Sequence, residues 1–220
     1  GRVCPYDYHS SPRMFARVPD FAADTLYVIG GLYGNLAALA AIDNLAAMER
    51  APVTRVFNGD FHWFDAEPAW FSGIEAGVAP HRALRGNVET EIARANDIGV
   101  GCGCAYPEGV PAAVVARSNE ILSLLRTAAP AEARTRLGLL PMHLVAQVGA
   151  LRIGIVHGDA GALAGWRFAQ DELDNRSRRA WLAEVREAAQ VDVFASTHTC
   201  LAALRDFAIS RGRLTVINNG

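Results

Sequence analysis

The apolar positions of this chain fall into short runs, each closed by glycine or by a polar residue. Leu26–Ile29 is brief, β-prone and stopped by Gly30-Gly31, which predicts a buried strand. Residues 35–49 follow with Leu36, Leu39, Ile42, Leu45 and Met48 near helical spacing on an Ala-rich background, which predicts a helix. The alternation continues with a strand at Arg55–Phe57, a helix over 66–77, a strand at His81–Leu84 and a helix over 89–96. Residues 99–111, with three glycines spaced around Cys102 and Cys104, read as an irregular insert, followed by helices at 112–127 and 131–138. Later segments are richer in strand. Met142–Val148 and Leu151–Val156 predict a hairpin across Gly149-Ala150. A long charged helix is expected over 170–190, then a strand at Val191–Ala195. A last hairpin, Leu201–Ile209 with Leu214–Ile217, is expected across Arg211-Gly212-Arg213. Residues 1–24 read as an irregular leader.

Strands that alternate with helices and then cluster predict an α/β protein with a mixed sheet. No repeat, low-complexity tract or linker interrupts the chain, so one domain is expected over 1–220, with 99–140 as a helical excursion. Of the 220 residues, 51% are hydrophobic and 20% charged, with a net charge of −2, the balance of an ordinary globular protein. Without a basic stripe, nucleic-acid binding has no support. No apolar run is long enough to span a bilayer and no start resembles a signal peptide, so a cytoplasmic protein with reduced thiols is expected. The strand-like end at Gly220 suggests that the natural chain continues.

The chemistry-bearing residues follow the apolar runs. Gly30-Gly31-Leu32-Tyr33-Gly34-Asn35, Gly59-Asp60, Arg85-Gly86-Asn87-Val88-Glu89, Val156-His157-Gly158-Asp159 and Thr197-His198-Thr199-Cys200 occur in that order. In α/β folds, ligands bind beyond the carboxyl ends of strands. The ordered set resembles the calcineurin-like metallophosphoesterases. The resemblance implies their sandwich of mixed β-sheets flanked by helices, and a site where divalent transition-metal ions, Mn, Fe or Zn, activate water to hydrolyse a phosphoester.

The resemblance makes Asp60 the bridging metal ligand and adds Asn87, His157 and His198 around one ion. The second ion is depleted, because Gly31 stands where the family has Asp, Tyr33 where it has His, and Cys200 where it has the last His. One or two ions are therefore expected, with Cys200 as a candidate thiolate ligand and Cys102 or Cys104 able to join it if the insert folds over the site. Arg85 is the expected phosphate-binding guanidinium, together with Asn87, and Asp60, Arg85 and His157 form the expected catalytic set. Val88 replaces the family's histidine, leaving a general-acid position vacant, while Glu89 remains to orient a neighbour. The partner implied is a phosphorylated small molecule or a phosphoprotein. Two other readings stay open: an inert binding module on the same fold, and a metal enzyme whose lost half is rebuilt with cysteine.

Overall fold

The structure, a computed structural model, describes residues 2–209 and 212–220. Two β-sheets face each other. The smaller is wholly parallel and contains β2 (Thr25–Ile29), β3 (Val53–Asn58) and β4 (Arg82–Leu84) in sequence order. The larger has six strands: β1 (Phe21–Ala22), β5 (His143–Val148), β6 (Leu151–Val156), β7 (Val193–Ser196), β9 (Gly212–Asn218) and β8 (Ala203–Ile209), in that spatial order. Within it β6, β7 and β9 run parallel, while β5 and β8 pair antiparallel to β6 and β9. Val56 and Leu84 of the small sheet pack on Leu144, Ala146 and Ile155 of the large one, so apolar side chains fill the space between the sheets.

Helices cover the outer faces. Helix α1 (Leu36–Ala47) starts at Asn35, whose side-chain oxygen accepts from the Ala38 N–H at 3.0 Å. With α2 (Pro68–Val78), α3 (Asn87–Ala93), α4 (Ala112–Ala128) and α5 (Ala131–Leu139) it encloses Phe57, Phe71, Ile74, Ile92, Leu125 and Leu137. On the larger sheet, α6 (Gln170–Asp174) and α7 (Arg179–Ala189) supply Leu173, Leu182 and Val185 to a core around Phe168, Phe194 and Phe207.

Three expectations need correction. The long helix over 170–190 is broken, because Asn175 takes an extended conformation and its side chain accepts from the Ser177 N–H at 3.0 Å, so α6 and α7 are separate. The leader is not irregular throughout: it supplies β1, and Tyr8 and Phe15 lie in short 3-10 turns and are fully buried. Strand β8 starts at Ala203 and leaves Leu201 exposed, and the expected turn at 211–213 begins outside the described residues.

Phe15 packs edge-on against Phe194, with ring centroids 5.1 Å apart, and tilted against His143 at 5.0 Å. Replacing it with Ala removes a large buried ring, so Phe15→Ala should lower stability by about 3–5 kcal/mol, read as an earlier urea midpoint with unchanged slope.

Candidate metal centre

Four parallel strands deliver the site. Strands β3, β4, β6 and β7 end at Asn58, Leu84, Val156 and Ser196, and Asp60, Asn87, His157 and His198 follow within one to three residues of those ends. All four side chains are buried. Their donor atoms meet at His157 Nε2, which lies 3.2 Å from Asp60 Oδ2, 3.2 Å from Asn87 Oδ1 and 3.1 Å from His198 Nδ1.

The surrounding contacts settle what those atoms are. His157 Nδ1 donates to the Asn58 carbonyl at 2.8 Å, which leaves a lone pair on Nε2 in the neutral ring. His198 Nε2 donates to the Cys104 carbonyl at 3.4 Å and so turns the Nδ1 lone pair inward. Asn87 Nδ2 donates to the Cys102 carbonyl at 2.8 Å and to Cys104 Sγ at 3.3 Å, which aims its oxygen at the cluster. Asp60 Oδ1 accepts from the Val88 N–H at 3.0 Å and leaves Oδ2 free to face His157. Four acceptors thus point at one another with no donor between them. Donors bonded to one cation at about 2.0–2.2 Å lie roughly 3.0–3.5 Å apart, which fits these separations. Asp60, His157 and His198 form a group able to hold a metal ion, with the Asn87 oxygen beside it.

Glu89 builds the bed of this cluster. Fully buried, its carboxylate accepts from the Asp60, Gly86 and His62 N–H groups at 2.7, 2.8 and 3.3 Å. These bonds hold Asp60 at φ 49°, a left-handed conformation that a non-glycine residue adopts at a cost. Residue 86 must be glycine, since a Cβ there would sit 2.2 Å from Asp60 Oδ1. The His157 carbonyl accepts from both Thr197 and His198 N–H groups at 3.0 Å, which seats the two imidazoles side by side.

Electrostatics follow from burial and neighbours. Burial opposes the Asp60 charge, yet His157 beside it outweighs that and holds the carboxyl below its usual range. Burial likewise opposes the His157 charge, but Asp60 raises its pKa above the ordinary 6.5. His198 is pushed down to about 3 by burial and by His157, and stays neutral. In the protein alone, a proton on His157 answers the converging acceptors.

The half of the site expected to be depleted is filled. Gly31 has φ +57°, which strains any side chain, and a Cβ there would press on Tyr33 and the Gly220 carbonyl at 3.0 Å. The Tyr33 hydroxyl lies 3.1 Å from Cys200 Sγ. Burial raises the pKa of both groups, and they remain a protonated phenol and thiol. Cys200, with a left-handed backbone at φ 59°, turns its thiol to Tyr33 and lies outside the Asp60–His157–His198 group. Cys102 and Cys104 also lie outside that group. Both are buried, 2.6 Å apart at sulfur, and their turn serves to orient Asn87 and His198.

Arg85 is also redirected. Its guanidinium donates to the Gly138 carbonyl at the end of α5 at 2.8 Å and does not line the cavity above the cluster, so phosphate binding does not follow from its position. Val88 is buried and apolar at the general-acid position. His62, which the sequence motifs do not include, is fully buried, with Nδ1 2.6 Å from Asp65 and Nε2 3.0 Å from Glu75. The cavity over the cluster, about 260 Å3, is walled by Trp63, Phe64, Tyr106 and Trp166, none of which belongs to the sequence motifs. Their one signal was position, since Trp63 and Phe64 follow Gly59-Asp60 and Trp166 follows the His157-Gly158-Asp159 turn. A larger cleft, about 1050 Å3, shares Trp166 but holds none of the four donors.

This architecture is the metallophosphoesterase fold. The structure is similar to a hypothetical protein from Pyrococcus horikoshii (TM-score 0.58, 18% identity, 89% of this chain and 77% of that one). It is also similar to a metallophosphoesterase from Sphaerobacter thermophilus (TM-score 0.54, 16% identity, 89% of this chain and 75% of that one). No protein-family model and no curated protein matches the sequence itself. Among the described residues, no helix is long and apolar enough to cross a membrane.

Two outcomes test the centre. Because Asp60 raises the His157 pKa, the proton on His157 competes with a cation, and metal affinity should fall as pH drops through that raised value. Calorimetry of Zn binding in buffers of different ionisation enthalpy should report proton release that grows as pH falls and shrinks toward zero at higher pH. Cys200→Ser should leave metal stoichiometry unchanged, because Cys200 faces Tyr33; loss of metal by atomic absorption would return Cys200 to the ligand set.

Proposed function

We propose that this protein is a single-ion phosphoesterase. Asp60, Asn87, His157 and His198 hold one divalent transition metal, Mn, Fe or Zn, and the site hydrolyses a phosphoester of a small molecule. The observation that carries this reading is the convergence of four acceptor atoms without a donor, which one cation resolves. Carboxylate, amide oxygen and two imidazoles suit those metals better than Ca. When bound, a divalent cation supplies positive charge for the phosphoryl oxygens and lowers the pKa of water.

The protein's own residues set the rest. Asn58 and Cys104 fix the inward lone pairs of the two imidazoles, and the Cys102 carbonyl fixes Asn87. Tyr33 and Cys200, bonded to each other, offer neither charge nor a second ligand set. With Val88 where a general acid is expected, the leaving oxygen departs without a proton from that side, which favours substrates with acidic leaving groups. Arg85 takes no part. An intracellular setting is consistent with buried, reduced Cys102 and Cys104.

The test is hydrolysis of bis(p-nitrophenyl) phosphate by protein loaded with Mn or Zn. Asp60→Asn and His198→Ala should each lower turnover at least about a hundredfold and weaken metal binding, while Arg85→Ala should stay within about threefold of the parent. The filled second half favours one alternative, a binding module on the same fold; stoichiometric metal with no turnover above buffer would establish it and end the enzymatic reading.

A further inference from the structure

The cavity above the four donors is narrow, aromatic and without a cation. Among the described residues that line it, none is arginine. Most of its polar side chains beyond the ligands are already engaged. The Tyr33 hydroxyl meets Cys200 Sγ at 3.1 Å, and the Tyr106 hydroxyl meets Ser118 Oγ at 2.9 Å. Ser118 Oγ also donates to the Val114 carbonyl at 3.1 Å, and Trp166 Nε1 donates to the Cys104 carbonyl at 2.8 Å. Among the polar side chains that line it beyond the ligands, the Trp63 indole N–H is the neutral donor left for a phosphate oxygen.

Charge counting then narrows the ligand. A divalent cation against the carboxylate of Asp60, with that of Glu89 buried behind it, leaves at most a single net positive charge, since ligating histidines are neutral. A phosphomonoester carries close to two negative charges above its second pKa of about 6, and with no guanidinium beside the metal one of them would be buried unpaired. A phosphodiester carries one. Trp63, Tyr106 and Trp166 line the space, with Phe64 exposed at its rim, an aromatic lining suited to a ring-bearing ligand. At about 260 Å3 the space is below the roughly 300–1,000 Å3 usual for drug-sized ligands, which limits the occupant to a phosphodiester with one ring inside.

We infer that the site selects monoanionic phosphodiesters bearing an aromatic substituent, phenolic or heterocyclic, over phosphomonoesters and over alkyl diesters. This rests on the phosphoesterase reading and names its substrate class.

The experiment is a tryptophan-fluorescence titration of Zn-loaded protein at pH 8 with diphenyl phosphate, phenyl phosphate and dimethyl phosphate, with Zn content measured on each sample. Diphenyl phosphate should bind about tenfold tighter than either comparison ligand. Phe64→Arg places a guanidinium at an exposed rim position, so it should keep the Zn content and strengthen phenyl phosphate binding at least about threefold. With Zn bound, equal or tighter binding of phenyl phosphate overturns the charge argument, and equal binding of dimethyl phosphate overturns the aromatic one. In both cases the metal centre stands. Failure of the parent protein to bind Zn, Mn or Fe removes the phosphoesterase reading and this inference with it.

Discussion

Mutual repulsion among buried lone pairs is the constraint on which the rest of this structure depends. Asp60, Asn87, His157 and His198 come from four separate strand ends and present acceptors to one point. A buried carboxylate without a counter-charge costs several kcal/mol, so the arrangement persists only with a proton or a cation at its centre. The neighbouring backbone is organised to keep the acceptors there. Glu89 receives three N–H groups and fixes the strained Asp60 turn, while the Asn58, Cys102 and Cys104 carbonyls each take one proton from a ligand side chain. Removing the central charge leaves all of these contacts satisfied and only the cluster unsatisfied, as expected of a site organised around its occupant.

The neutral character of the Tyr33–Cys200 side follows the same electrostatics. A second cation needs a second set of anionic or imidazole donors, and Tyr33 with Cys200 supplies a neutral phenol and a neutral thiol. Burial keeps both protonated because neither has a cation to stabilise its charged form. What remains is a site of low charge under an aromatic roof. That changes which anion can be accommodated more than it changes the fold.

Much of the site was legible in the sequence because strand ends are legible. Apolar runs closed by Gly59-Asp60, Gly86-Asn87, His157-Gly158 and Thr197-His198 fix where the chain leaves each sheet, and in a parallel sheet those exits share a rim. Side-chain direction was not legible at Arg85, Cys200 or His62. Arg85 turns toward the Gly138 carbonyl because α5 packs on that side, and Cys200 turns toward Tyr33 through a left-handed backbone that no local pattern announces. His62 is held by Glu75 of α2, thirteen residues on and visible only once α2 is docked. The break at Asn175 was written in a residue that caps better than it propagates a helix, but the charge alternation around it reads as continuous. The leader's polar composition concealed two buried rings, Tyr8 and Phe15.

That leader bears on the metal centre through α3. A helix of seven residues is too short to hold itself in water, so its position must come from its side chains. Two buried carboxylates on it, Glu89 and Glu91, face different partners. Glu89 binds the Asp60 turn, while Glu91 accepts the Tyr8 hydroxyl at 2.7 Å and the Arg94 guanidinium at 2.9 Å. Arg94 in turn meets Asp7 at 2.8 Å. One end of this chain of contacts is the leader and the other is the floor of the site, with Asn87 in the first turn between them. A shift of Tyr8 and Asp7 would therefore be felt through α3 at the Asn87 oxygen, 3.2 Å from His157.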